Sequence, residues 1–210
     1  MIDAFGNKEY AVNMLKGELM SKRGLLIVLS GPSGVGKGTI LKEFVNDPAL
    51  KLAYSVSMTT RNRRPGEVDG VNYYFVTREE FERARDHGEL LESAEFVGNY
   101  YGTPLKEVEK LRNQGKNVIL EIEVQGCMQV TEKVKDALTI FIVPPSMEEL
   151  EKRIRGRATE PEEIIQERIA KAAREMELIG NYKYVVCNDD PKLAADIIRV
   201  IIHRYMESNI

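Results

Sequence analysis

The stretch that most constrains this chain is "LLIVLSGPSGVGKGT", residues 25–39. An apolar run over residues 25–30 feeds directly into Gly31, Gly34, Gly36 and Gly38, with Lys37 among them. A continuous apolar run of this kind is what a strand buried on both faces requires. Residues 39–45 then carry a helical pattern. Strand, glycine loop, lysine and helix is the order a phosphate cradle needs. Glycines let successive backbone N–H groups curl round an anion. The helix start aims its dipole and its free N–H groups at the same point, and the lysine adds a point charge for the outer phosphates. Gly31 to Lys37 fit the spacing G-x-x-x-x-G-K. One position departs from it: Gly38 stands where a Ser or Thr hydroxyl normally faces magnesium, and Thr39 follows. The expected phosphate-binding set is Gly31, Pro32, Ser33, Gly34, Val35, Gly36, Lys37, Gly38 and Thr39.

Further strand-like runs follow at residues 52–57, 118–124, 139–143 and 184–187. Helical signals lie between them. Thr103-Pro104 reads as an N-cap with proline in the first turn. Ser146 to Glu149 and Thr159 to Glu162 have capping-box spacing. Residues 191–206 form a last amphipathic helix, with Leu193, Ile197, Val200 and Ile201 on one face. This alternation predicts an α/β fold with a largely parallel sheet. Residues 58–103 differ, being rich in Tyr, Arg, Gly and Asn, with the strand-like pieces "NYYFV" and "AEFVGN" flanking a helix at 78–87. They read as a mixed α/β insertion on a core made of residues 23–57, 104–152 and 169–210. Residues 153–168 read as a short helical lid, and residues 1–22 as an N-terminal extension, with Met20 as a candidate start.

Of the 210 residues 43% are hydrophobic and 30% charged, so a packed core is expected and wholesale disorder is not. A net charge of −3 disfavours non-specific nucleic-acid binding, which wants a broad basic surface. It is compatible with a small phosphorylated ligand, for which a few local cations are enough. No apolar run approaches the ~20 residues of a membrane helix, and the N-terminus lacks the apolar stretch of a signal peptide. Cys127 and Cys187 have no CxxC spacing and read as buried reduced thiols, which points to the cytoplasm.

Beyond the loop lies "SVSMTTRNRRPGEVDGVNYYF", which combines serines, three arginines and two tyrosines. Arginine with a tyrosine hydroxyl suits a phosphate monoester. The loop "GKGT" resembles that of nucleoside monophosphate kinases, where magnesium is largely water-ligated. More of the chain carries a narrower likeness. "SGPSGVGKGT", "SVSMTTRNRRPGEVDGVNYYFV", "GNYYGT", "VILEIEVQG" and "RGRATE" together resemble the guanylate kinases, from about Leu25 to the C-terminus. The resemblance implies a core of the phosphate-loop NTPase type, an insertion that binds GMP, and a lid. It implies transfer of a phosphoryl group from ATP to GMP, and to dGMP, with Mg²⁺.

Residue by residue, the resemblance places Arg61, Arg64, Tyr73 and Tyr101 on the GMP phosphate, and Ser57, Glu92 and Thr103 on guanine. Arg153, Arg157 and Arg168 match the lid arginines that close on the transferring phosphates. They join Lys37 and Arg61 as the catalytic set, and Asn188 matches a position near the adenine of ATP. Glu121 and Glu123 match two acidic positions after the third strand. One of them would reach magnesium-bound water and the other guanine, in an order the sequence leaves open. No side chain is assigned to the metal directly. Arg63 and Arg155 have no role and read as surface charges. The chain is expected to be a monomer or homodimer, with no nucleic-acid or membrane partner.

The chemistry is coherent without the family name. A carboxylate at Glu92 accepts two hydrogen bonds, and guanine offers N1–H and N2–H₂ side by side. Adenine would leave the buried carboxylate unpaired, a cost above ~1–3 kcal/mol. The acceptor is a phosphate oxygen, already anionic near neutral pH, so no general base is needed. His87 and His203 read accordingly as surface residues. The obstacle is repulsion between two polyanions, which the cations relieve. Two other readings exist: a related interaction module without catalysis, and a kinase for another monophosphate. The intact phosphate loop argues against the first, and Glu92 with Ser57 against the second.

Overall fold

The structure is a computed structural model that describes residues 23–96, 98–156 and 161–208. The expected extension and Arg157 lie outside the described residues, as does the Thr159 cap. Among the described residues, nine strands fall into two sheets. In the first, β2 (Leu52–Tyr54), β7 (Asn117–Glu121), β1 (Leu26–Ser30), β8 (Leu138–Val143) and β9 (Tyr184–Cys187) lie side by side in that order. Every pairing is parallel, with Ile27 aligned to Ile119 on one side and to Leu138 on the other. In the second sheet the order is β4 (Tyr74–Phe75), β3 (Met58–Thr59), β6 (Asn99–Pro104), β5 (Leu90–Phe96), with mixed pairing.

Strand β1 shows why the large sheet needs cover on both faces. Successive side chains point to opposite sides. Ile27 and Leu29 join one apolar cluster with Ile40, Phe44 and Ile198. Leu26 and Val28 join another with Val108, Val130 and Phe141. Helices α1 (Lys37–Phe44) and α7 (Pro191–Ser208) pack together on the first face. Helices α3 (Leu105–Asn113) and α4 (Val124–Lys133) supply the second. Each fully buried Leu, Ile or Phe contributes about 1.5–3 kcal/mol.

The small sheet has its own core. Phe81 and Ala84 of α2 (Arg78–Asp86) pack on Leu90, and the Phe81 ring stacks on Tyr100 with centroids 5.4 Å apart. Helix α2 begins with a full capping box between Thr77 and Glu80. The side chains of α4 join the two sheets. Gln129 exchanges two hydrogen bonds with the Ser93 backbone, and Lys133 Nζ donates to the carbonyls of Leu90 and Leu91.

Several expectations from the sequence are corrected here. The strand expected over residues 52–57 stops at Tyr54. The one expected over 118–124 stops at Glu121, because Glu123 is the N-cap of α4 and Val124 its first residue. Thr103 is not a helix cap; it lies in β6 and α3 starts after Pro104. Helix α1 starts at Lys37, as the cradle reading requires, and ends at Phe44, one residue short of the expected Val45. In α7 the buried stripe is Ala194, Ala195, Ile198, Ile201 and Ile202, while Leu193, Ile197 and Val200 face solvent. The two alanines let this helix approach its neighbours closely, and the bulky side chains rotate outward. Cys187 is exposed; Cys127 is buried as expected. His87 is exposed at the end of α2 and His203 is partly exposed on α7. The segment read as a lid takes in the end of α5 (Met147–Arg155) and the first half of α6 (Glu162–Met176). The Arg155 guanidinium bridges them through Glu151 and Glu162.

Candidate active site

The glycine loop leaves the C-terminal end of β1, the central strand, in the crevice where open parallel sheets bind ligands. Its shape depends on residues without a Cβ. Gly31 has φ +144° and a Cβ there would lie 2.4 Å from the Ile142 carbonyl oxygen. Gly36, the N-cap of α1, has φ +96°, and a Cβ there would lie 2.6 Å from Asn188 Nδ2. That amide donates to the Val35 carbonyl at 2.7 Å, which ties the back of the loop to the end of β9. Val35 itself is buried in the core, so only its backbone can face a ligand.

Lys37 Nζ donates to the carbonyls of Gly31 at 2.6 Å and Pro32 at 3.2 Å. Burial pushes its pKa below the ordinary lysine value, against the opposing pull of Glu121, Glu175 and Glu123. A cavity of about 460 Å³ opens beside it, lined by Ser33, Gly34, Gly36, Gly38, Thr39 and the residues 121–123. On the outer side of the loop, Arg153 and Asn188 line a second recess with Gly34, Gly36 and Thr39. The Arg153 guanidinium donates to Glu149 and to the Asn188 carbonyl. Arg168, on α6, reaches Ser33 Oγ at 2.9 Å.

A separate cavity of about 210 Å³ lies between the two sheets. Ser57, Tyr73, Glu92, Tyr101, Glu121 and Glu123 line it, six of the nine residues expected there. A β-bulge between Leu90 and Glu92 places Glu92 opposite Thr103. Thr103 Oγ1 donates to Glu92 Oε1 at 2.6 Å, so Thr103 stands behind the carboxylate and does not line the cavity. Glu92 is only 5% exposed, and burial pushes its pKa up, partly offset by the Thr103 bond and the Lys133 charge. Its other oxygen lies 2.8 Å from where a Cβ on Gly126 would stand, so a side chain at 126 would have to displace the carboxylate.

Arg61 and Arg64 do not line this cavity. The Arg61 guanidinium makes a bidentate pair with Glu67, at 2.7 and 3.1 Å, and lies 5.5 Å from the centre of the Tyr73 ring. Glu67 also accepts from the Arg64 backbone N–H, whereas the Arg64 side chain is exposed. Sequence reasoning missed Glu67, although a carboxylate six residues after Arg61, within a run of arginines, was a legible signal. Gly126, the last residue of "VILEIEVQG", was given no role of its own, and Glu175 belongs to none of the quoted motifs.

The two cavities share one wall, made of Glu121, Ile122 and Glu123. Glu121 stands beside the phosphate loop, 3.5 Å from where a Cβ on Gly38 would lie. Glu123 accepts a hydrogen bond from Lys171 Nζ at 2.7 Å. A cationic loop on one side of a wall and a recess with a buried carboxylate on the other fit a phosphoryl-transfer enzyme of the phosphate-loop class.

Comparison with known proteins narrows the class. The guanylate kinase family pattern matches residues 23–205. A guanylate kinase of Streptococcus agalactiae serotype III is 56% identical over 183 residues, covering 87% of this chain and 88% of that protein. One from Streptococcus pyogenes serotype M3 is 55% identical over 183 residues, covering 87% of each. The crystal structure of guanylate kinase from Anaplasma phagocytophilum superposes with a TM-score of 0.68 at 37% identity, covering 88% of this chain and 87% of that one. The chain belongs to the guanylate kinase family.

Proposed function

We infer that this chain transfers the terminal phosphoryl group of ATP to GMP, giving ADP and GDP. The observation that carries the reading is the shared wall of residues 121–123, with Lys37 on one side and the buried Glu92 on the other. ATP would lie with its phosphates in the glycine loop and its base near Asn188. GMP would lie in the smaller cavity, its base on Ser57 and Glu92 with Thr103 in support, and its phosphate toward Tyr73, Tyr101, Arg61 and Arg64. That arrangement points the acceptor phosphate at the wall beyond which Lys37 stands.

Glu92 accepts from guanine N1–H and N2–H₂. Lys37, Arg153 and Arg168 offset the charge that builds on the transferring group, which is the main demand of this chemistry. Residues 23–57, 104–152 and 169–210 act as the rigid core, 58–103 as the GMP-binding part, and 153–168, with Arg157, as the lid. Among the described residues no cluster of three or more His, Cys, Asp or Glu could hold a metal ion. Thr39 and Glu121, oxygen donors that line the loop cavity, fit a Mg²⁺ held mainly through phosphates and water. When bound, the ion supplies positive charge to the β- and γ-phosphates. A kinase of this kind works in the cytoplasm, and no helix among the described residues is long and apolar enough to cross a membrane.

The test is ADP production with GMP, dGMP, AMP, CMP and UMP offered in turn, with Lys37→Ala as the inactive control. GMP should be the best acceptor by orders of magnitude and AMP near background. Equal rates with AMP would overturn the assignment of Glu92, and a turnover within a few-fold of the parent in Lys37→Ala would overturn that of the loop.

A further inference from the structure

Helix α6 brings a second set of charges to the site. Arg168, Lys171 and Glu175 are spaced i, i+3, i+7, which places them on one face. That face touches the active site at two points. Arg168 donates to Ser33 Oγ on the phosphate loop at 2.9 Å. One turn on, Lys171 Nζ donates to Glu123 Oε2 at 2.7 Å and lies 3.8 Å from Glu175 Oε1. Glu175 is 8% exposed, so the ammonium is held between two carboxylates, one of them buried.

Glu123 is in a position to do something else. It is the N-cap residue of α4, yet its side chain makes no capping bond. It lines both cavities instead and is gripped from α6. Lys171 and Glu123 are each 37% exposed, and a pair that exposed adds little to stability. What the contact does accomplish is geometric: it fastens the wall of the acceptor cavity to the helix that carries Arg168.

We propose that Lys171 is a positioning residue that couples the two nucleotide sites, by clamping Glu123 on the shared wall to the helix that places Arg168 on the phosphate loop. The proposal rests on the assignment of the two cavities given above. Filling the acceptor cavity sets the position of Glu123, and the clamp passes that position to α6 and so to the donor side. Coupling of this kind is reciprocal: GMP tightens the donor nucleotide by the same factor that the donor tightens GMP.

The experiment is calorimetric titration of the full chain with Mg·ADP, with and without saturating GMP, a pair that cannot turn over. The parent should bind Mg·ADP about 5-fold or more tightly when GMP is present. In Lys171→Met the factor should fall to about 1, with a Tm within about 2 °C of the parent, since the residue is half-exposed. Lys171→Arg, which keeps the cation, should retain the coupling. An unchanged factor in Lys171→Met, or no coupling in the parent, overturns the proposal. So does loss of coupling in both variants, which would assign the effect to packing. Glu92→Gln separates the two readings. If it weakens GMP binding while Lys171→Met leaves the coupling intact, the acceptor site stands and the clamp alone fails.

Discussion

Glu92 shows how a single side chain trades stability for recognition. It is buried against the Thr103 hydroxyl, and burial raises its pKa. The folded chain therefore holds that proton more tightly than the unfolded chain. Stability falls as pH rises from the ordinary carboxylate range through the raised folded value, because the fold must then accommodate a poorly solvated anion. Glu92→Gln keeps an oxygen for Thr103 and removes the charge. The variant should be more stable than the parent at neutral pH, and its Tm should lose that component of pH dependence. It should also bind GMP roughly 10- to 100-fold more weakly, the equivalent of a lost charge-assisted hydrogen bond. Thermal melts across pH and GMP titration check both halves. A variant less stable than the parent at pH 7, or one with unchanged GMP affinity, contradicts the account.

At the scale of elements, α7 is the instructive case. Its sequence carries two overlapping apolar stripes, and either satisfies a 3.6-residue period. The stripe with Ala194 and Ala195 packs inward with Ile198 and Ile202, each essentially unexposed, while Leu193 and Val200 are about 60% exposed. Ile198→Ala should cost about 2–5 kcal/mol. Leu193→Ser and Val200→Thr should each stay within about 0.5 kcal/mol of the parent. In a domain of this size 1 kcal/mol moves Tm by about 2–4 °C, so melting curves separate the two outcomes. Equal losses at Ile198 and Val200 would mean that the helix is rotated from the orientation described. Elsewhere the strands that lie in the sheet interior were legible, because burial on both faces leaves an uninterrupted apolar run. The end of β7 was not, since "VILEIEV" alternates as a strand does through the point where the backbone turns at Glu123 to start a helix.

At the scale of the whole molecule, cations are distributed over several parts: Lys37 on the phosphate loop, Arg61 beside the small sheet, Arg153 on α5 and Arg168 on α6. The small sheet is held to α4 through Gln129 and Lys133, and α5 meets the phosphate loop through Arg153 and Asn188. Two polyanions offer these cations a shared counter-charge, and water must be excluded from the transfer. ATP and GMP together should therefore bring the small sheet and α5 toward each other. A bisubstrate analogue should shorten the distance between labels at Asp69 and Lys152, both exposed positions, whereas ATP alone should shorten it less. An unchanged distance with the analogue would mean that the cations already stand where catalysis needs them.

Local chemistry was decided by the sequence itself. The order of strand, glycine loop and lysine dictates a phosphate cradle, since each part works through backbone geometry and charge over a few residues. The arginine and tyrosine types after it likewise announced an anion. What the sequence could not decide was which charges meet. Thr103 standing behind Glu92 and Lys171 gripping Glu123 across 48 positions are pairings between elements. Nothing in the spacing of those residues encodes them. They arise because β5 and β6 pair with a bulge, and because α6 packs where its Lys171 meets the N-cap of α4, so that the tertiary fold brings distant carboxylates and cations within hydrogen-bond reach.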